Sequence, residues 1–219
     1  LVGTDSQKIM IQMAEDANNH PPQFTNAAFD IVAIAASAGG LTALVKVLST
    51  LPAEFPAAIA IVQHLAPEHR SLMAEILSRR TVLRVKQAEE GDFLAPGTAY
   101  IAPPNRHLLV NGDGTLSLSQ SELVHFLRPS ADLLFESVAA TYKNRAIAIV
   151  LTGTGSDGAM GVEAIKKMGG TVIVQDVKTA EFSGMPSAAI QTGNVDFILP
   201  LDEISSALLI LIVALPPTL

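Results

Sequence analysis

Short apolar runs alternate with longer segments whose apolar positions recur every three or four residues. FDIVAIAA (29–36) is a compact, β-branched run closed by SAGG, and residues 41–50 then carry helical spacing. AAIAIVQH (57–64) is a second buried strand. Pro67-Glu68 opens a helix, with Leu72, Met73, Ile76 and Leu77 expected on its buried face. Later, AIAIVLTG (146–153), TVIVQD (171–176) and VDFILP (195–200) repeat the strand pattern. Helices are predicted between and after them at residues 131–141, 159–168, 186–191 and 202–215. Ser130 is placed to cap the first of these, and Gly169-Gly170 to close the second. Continuous apolar strands alternating with amphipathic helices predict an α/β, doubly wound, mostly parallel sheet covered on both faces.

The middle of the chain breaks this rhythm. Residues 82–86, 98–102, 107–110 and 115–119 read as short strands, and Asn111-Gly112-Asp113-Gly114 as a hairpin turn. These segments predict an antiparallel hairpin insertion on one edge of the sheet. Residues 1–28 are polar and read as an arm or linker, although KIMIQMA (8–14) also fits a short packed helix. The domain is expected over 29–215, with 216–219 as a tail.

Composition narrows the class. The chain has 219 residues, enough for one large domain. Apolar residues make up 49% and charged residues 16%, which excludes a disordered or solvent-bridging chain. The net charge of −7 lacks the basic footprint of a nucleic-acid binder. There are no cysteines, so disulfides, thiolate metal sites and cysteine nucleophiles are excluded. The longest apolar stretch, residues 207–215, is too short to span a bilayer, which needs about 20 residues. No signal-peptide pattern is visible, and a cytoplasmic location is expected.

In open parallel sheets, ligands gather beyond the carboxyl ends of the strands. Three reactive residues come directly after predicted strands there: Ser37, His64, and Asp157 in the loop GTGSDG. A serine hydrolase needs this set: a hydroxyl that attacks, an imidazole that takes its proton, and a carboxylate that orients the imidazole. Gly39 and Gly40 permit a tight turn after Ser37, and amides at a helix start can hold an oxyanion. Each residue also has a plainer reading. Ser37 could cap the next helix, His64 could bond backbone, and Asp157 could cap the helix immediately after it. Phosphate binding at the same helix start is weaker, because neither a Walker pattern nor GxGxxG is present. A metal site joining His64 to His69 lacks a suitable spacing and a completing carboxylate, so no metal or cofactor is expected. His20, His107 and His125 read as structural or solvated. Five of the 14 basic residues fall between Arg70 and Lys86, which reads as a solvated face.

Taken together, SAGG, IVQHL, YIAPPNRH, RPSADLLFESVA, VLTGTGSDGAMG and FSGMPSAAI resemble the catalytic domain of the chemotaxis receptor methylesterases (CheB type), in the family's order from about residue 29 to 204. The resemblance implies a three-layer α/β fold. It also implies hydrolysis of glutamyl methyl esters on methyl-accepting chemoreceptor signalling helices, with glutamine deamidation in many members. It maps the family's catalytic residues onto Ser37, His64 and Asp157. Ala38 and Thr154 stand where many members have Thr and Met, and their backbone amides are the expected oxyanion donors. The alternatives are a catalytically silent receptor- or partner-binding module of the same fold, and an esterase with a non-receptor substrate. A phosphorylatable receiver domain usually precedes the esterase and needs on the order of a hundred residues. Only 28 residues precede Phe29, so an esterase without a receiver is expected. Segments 62–81 and 174–200 look closer to the branch fused to a methyltransferase, which makes a fused or associated methyltransferase the expected partner.

Overall fold

The computed structural model describes residues 27–64 and 71–213, with positions 21, 23 and 24. Most of the arm, the predicted helix start at Pro67-Glu68, His69, and the 216–219 tail lie outside the described residues.

Seven strands form one parallel sheet: β1 (Ile31–Ala36), β2 (Ala58–Gln63), β3 (Arg84–Gln87), β4 (Thr98–Ile101), β7 (Ala146–Val150), β8 (Thr171–Gln175) and β9 (Phe197–Leu199). Their spatial order is β3-β4-β2-β1-β7-β8-β9. The chain winds outward from β1 in one direction, then returns to the other side at β7. Between β1 and β7 lies the switch point where such sheets open a crevice.

The period of two in β1 divides the core. Ile31, Ala33 and Ala35 face one layer, and Val32, Ile34 and Ala36 face the other. On the first face lie α3 (Ala131–Tyr142), α4 (Ala159–Lys167) and α5 (Gly184–Gln191). The second face carries α1 (Gly40–Leu48), α2 (Met73–Ser78) and α6 (Leu201–Val213). Three layers result, as the resemblance implies.

Three expectations change. The segments at 82–86 and 98–102 become β3 and β4, parallel members of the main sheet. Their shortness mimics an antiparallel meander, and the direction of pairing is not written in their side chains. The hairpin β5 (His107–Val110) and β6 (Leu116–Ser119) does form, but as a separate two-stranded sheet. It lies on the α3 layer, not on a sheet edge, because Leu108, Val110 and Leu116 bury into that layer. Ser137 of α3 donates its hydroxyl hydrogen to Leu134 O (2.8 Å) and accepts the N–H of Val110 at 3.1 Å. At α2, Met73 and Leu77 are buried as predicted, but Ile76 and Leu72, the residue just before the helix, are exposed.

The sheet begins at a buried ion pair. Arg145, just before β7, bonds the fully buried Asp30 carboxylate through both Nε and Nη2, the latter at 2.7 Å to Oδ1. Arg145 Nη2 also donates to Ala27 O at 2.8 Å, and Asp30 Oδ1 accepts the Phe24 N–H at 2.8 Å. The pair thereby ties the chain entering β1 to the chain entering β7. Arg145→Ala leaves Asp30 buried and unpaired and is expected to cost about 3 kcal/mol. Denaturant unfolding checks this, and adding Asp30→Asn should recover part of the loss. A loss under about 0.5 kcal/mol would mean that solvent reaches Asp30.

Candidate functional site

The strand order makes the ends of β2, β1 and β7 neighbours, as a shared site requires. Ala36 is paired with Gln63, so the next residues along each strand, Ser37 and His64, emerge side by side. His64 N–H donates to Ala36 O at 3.1 Å, and Ser37 N–H to Thr152 O at 3.0 Å. Ser37 therefore leaves the sheet between His64 and the loop that carries Asp157.

His64 and Asp157 meet directly. His64 Nε2 lies 2.7 Å from Asp157 Oδ2, and Asp157 is buried. An ionised carboxylate only accepts, so Nε2 carries a proton, and in the neutral ring Nδ1 then keeps its lone pair. The free basic nitrogen of this pair is thus Nδ1. Among the described residues, the Ser37 hydroxyl makes no hydrogen bond, so the Ser37–His64 contact is not closed in this structure; such contacts commonly tighten when substrate binds.

Asp157 is held from three more directions. Oδ2 accepts the Ala131 N–H at 2.6 Å, and Oδ1 accepts the Ser130 hydroxyl at 2.9 Å and the Asp132 N–H at 3.2 Å. Burial pushes its pKa up, but the hydrogen bonds from His64, Ala131 and Asp132 outweigh burial and hold the carboxyl below its ordinary range. Asp157 therefore caps α3, not the helix immediately after it. The expected Ser130 cap is also displaced: Ser130 occupies the cap position, but its hydroxyl goes to Asp157. The helix after Asp157 is capped instead by Asp132.

The turn after Ser37 is glycine-dependent. Gly39 has φ 75°, a conformation that glycine adopts without strain. A Cβ on Gly40 would lie 2.0 Å from Gln63 Oε1. Gln63 in turn donates to Ser37 O (2.8 Å) and His64 O (3.0 Å), tying both residues to one buried amide. A Cβ on Gly153 would fall 2.8 Å from Ser37 Cβ and 2.3 Å from Met185 Sδ, which places the 153–155 loop and Met185 against Ser37. Thr152 extends the bracing: its hydroxyl donates to Ala38 O at 3.0 Å and accepts the Phe182 N–H at 2.9 Å. Gln175 Oε1 accepts the Thr152 N–H at 2.8 Å. Among the described residues, the N–H groups of Ala38 and Thr154 have no protein acceptor.

The fully buried His107 anchors the neighbouring loop. Its Nδ1 accepts the Ser130 N–H at 3.1 Å, so Nε2 carries the hydrogen and donates to Glu122 O at 3.1 Å. Burial pushes its pKa down, which keeps it neutral and structural, as expected. Ser130, Asp132, Gln63, Thr152 and Met185 carry no signal in the sequence that marks them as site residues. They lie in the segments RPSAD, VQH, LTG and FSGMPS, but their partners are far away in the chain. Among the described residues, no three His, Asp or Glu side chains converge as a metal site.

Burial raises the Asp132 carboxyl to about 6; the Gly161 N–H counters burial, and the Asp157 charge adds to it. The folded chain then binds a proton at Asp132 between its ordinary 3.8 and about 6, where the unfolded chain has lost it. That stabilisation is present below the lower value and lost as pH rises through the upper. Asn has no such proton, so Asp132→Asn should gain melting temperature relative to the unaltered protein between about pH 4.5 and 7.5. A difference that does not vary with pH would remove Asp132 from the titrating groups.

The comparisons agree with this architecture. The family profile of CheB methylesterases matches residues 32–208. "Protein-glutamate methylesterase FrzG" of Myxococcus xanthus is 41% identical over 198 residues, which cover 90% of this chain and 58% of that protein. "Protein-glutamate methylesterase/protein-glutamine glutaminase 2" of Methanosarcina mazei is 44% identical over 183 residues, covering 80% of this chain and 50% of that one. A Leptospira interrogans relative, provisionally named for the same two activities, is 42% identical over 177 residues, 81% of this chain and 92% of its own length. The chain therefore spans nearly all of one relative and about half of the others. The crystal structure of the Thermotoga maritima CheB methylesterase catalytic domain superposes with a TM-score of 0.81 at 38% identity, covering 84% of this chain and 98% of that one. This chain belongs to the CheB methylesterase family.

Proposed function

We propose that this chain is a serine hydrolase that removes methyl esters from glutamate side chains on chemoreceptor signalling helices in the cytoplasm. The observation that carries this reading is the 2.7 Å contact between His64 and the buried Asp157, at the sheet edge where Ser37 emerges. Ser37 is the nucleophile, His64 the base, and Asp157 the orienting carboxylate. A site with all three groups favours turnover over the silent binding module.

The reaction is a two-step acyl transfer. Ser37 Oγ attacks the ester carbonyl carbon while its proton moves to His64 Nδ1. The N–H groups of Ala38 and Thr154 receive the oxyanion; one such donor is typically worth about 10²–10³ in rate. The carbon–methoxy bond breaks, and methanol leaves with the proton from Nδ1. Water then gives a proton to Nδ1 as its oxygen attacks the acyl carbon, and the bond to Ser37 breaks as Oγ is reprotonated. Asp157 stabilises the imidazolium in both steps. The same acyl-enzyme forms from a glutamine amide with loss of ammonia, so deamidation is a second activity of this site, in keeping with the relatives named for both.

The surface beside His64 fits a protein substrate. A cavity of about 270 Å³ is lined by His64, Leu123, Phe126, Leu127 and Pro129, among others. Phe126 stands 93% exposed on its rim. The loop is braced by Arg128, which donates to Asn105 Oδ1 (2.7 and 2.9 Å) and to the carbonyls of Gln120 and Ser121 (3.1 and 2.7 Å). An apolar rim next to the base suits an amphipathic helix that delivers one esterified side chain inward.

Methanol release from methylated receptor membranes tests the function. Ser37→Ala and His64→Ala should abolish release, and Asp157→Asn should cost up to about 10⁴-fold. Near-normal release by Ser37→Ala would remove it as nucleophile, and a loss of only a few-fold in Asp157→Asn would reduce Asp157 to a helix cap. Phe126→Ser should lower kcat/KM on receptor by about tenfold while leaving a small aryl ester unaffected. Equal losses on both substrates would make Phe126 part of the site's frame, not a contact for the receptor.

A further inference from the structure

Asp132 is a buried carboxylate with no step in the proposed reaction, yet it is bound into the catalytic loop. Its Oδ1 accepts the N–H groups of Gly158 (2.9 Å) and Gly161 (2.8 Å) at the start of α4. The nitrogen of Gly158 belongs to the peptide group that joins it to Asp157. Asp132 therefore clamps the peptide attached to the carboxylate that holds His64. In return, Asp157 accepts the backbone N–H groups of Ala131 and Asp132 at the start of α3. Asp157 caps the helix that carries Asp132, and Asp132 caps the helix that follows Asp157, so the two helix starts are tied to each other.

Three further features distinguish this from an ordinary surface cap. Gly158 has φ 97°, so the link between Asp157 and α4 has no side chain to fix it. A Cβ on Gly161 would lie 2.5 Å from Phe135 Cβ and 3.1 Å from Asp132 Cα, so α3 and α4 touch where the clamp forms. Asp132 Oδ2 is buried without a hydrogen-bond partner among the described residues, and His125 Nδ1 lies 3.9 Å from it, beyond hydrogen-bonding distance. Burying a half-satisfied carboxylate costs stability. A geometry that needs both Oδ1 bonds accounts for its presence.

We propose that Asp132 is a positioning residue: through Gly158 and Gly161 it holds the start of α4, and with it Asp157, within hydrogen-bonding reach of His64. The proposal rests on the catalytic reading of Ser37, His64 and Asp157. Small displacements of such groups are costly, because reacting groups must be held in a narrow range of geometry.

The test uses a small aryl ester and the low-field proton resonance of His64 Nε2–H bonded to Asp157. Asp132→Ala should lower kcat about tenfold or more, leave KM within about twofold, and weaken or remove the resonance. Asp132→Asn keeps a carbonyl acceptor in place and should restore both kcat and the resonance. Asp132→Glu keeps the charge but displaces the acceptor by one methylene; it should lower kcat and shift the resonance, and it serves if the alanine variant does not fold. The proposal is overturned if the Ala or Glu variant keeps both readouts. It is overturned equally if kcat falls with the resonance unchanged, or if Asn is as impaired as Ala. Absence of turnover in the unaltered protein would sink the proposed function instead, while the resonance still reports on Asp132.

Discussion

The site depends on where one carboxylate is buried. Asp157 lies at the N-terminus of a helix that is not its own, where two backbone N–H groups, a serine hydroxyl and an imidazole N–H converge on it. A buried anion is tolerated only when its lone pairs are met by donors. Here those donors also fix its direction. The positive end of α3 adds to the stabilisation, and the fourth donor is the ring that would carry the proton in catalysis. Charge, helix start and base orientation are one arrangement.

The sheet supplies the frame for it. Parallel strands β2, β1 and β7 end together at the switch point, and a few backbone bonds run on past those ends. Side chains supplement them. Gln63 bridges Ser37 and His64, Thr152 bridges Ala38 and Phe182, and Gln175 fastens Thr152 to the next strand. These buried amides and hydroxyls continue the pairing of the sheet into four loops. The Ser37 turn is thereby held on a rigid scaffold.

Much of this is legible in the sequence, because buried parallel strands announce themselves as unbroken apolar runs. Ser37 and His64 stand out as the reactive residues at the carboxyl ends of those runs, and Asp157 by the loop after AIAIVLTG. Pairing across distance is not legible. Ser130 and Asp157 each look like the cap of the helix immediately downstream, since local spacing shows a residue only its own helix. In the fold the caps are exchanged between segments about 25 residues apart, through a helix contact that Gly161 makes possible. β3 and β4 are likewise visible as strands but not as parallel ones. Leu72 and Ile76 carry helical spacing, yet α2 is short and buries only Met73 and Leu77.

In the proposed mechanism, the arrangement also decides which ring nitrogen is the base. In the familiar serine-protease geometry the carboxylate binds Nδ1 and leaves Nε2 as the base. Here Asp157 takes Nε2, which leaves Nδ1 as the base in the proposed reaction. The most direct test is the pair of ¹⁵N chemical shifts of the His64 ring in the resting protein, at a pH where the imidazole is neutral. The predicted result is a protonated Nε2 and an unprotonated Nδ1. A proton on Nδ1 with Nε2 bare would contradict it, because Nε2, not Nδ1, would then be the nitrogen free to act as base.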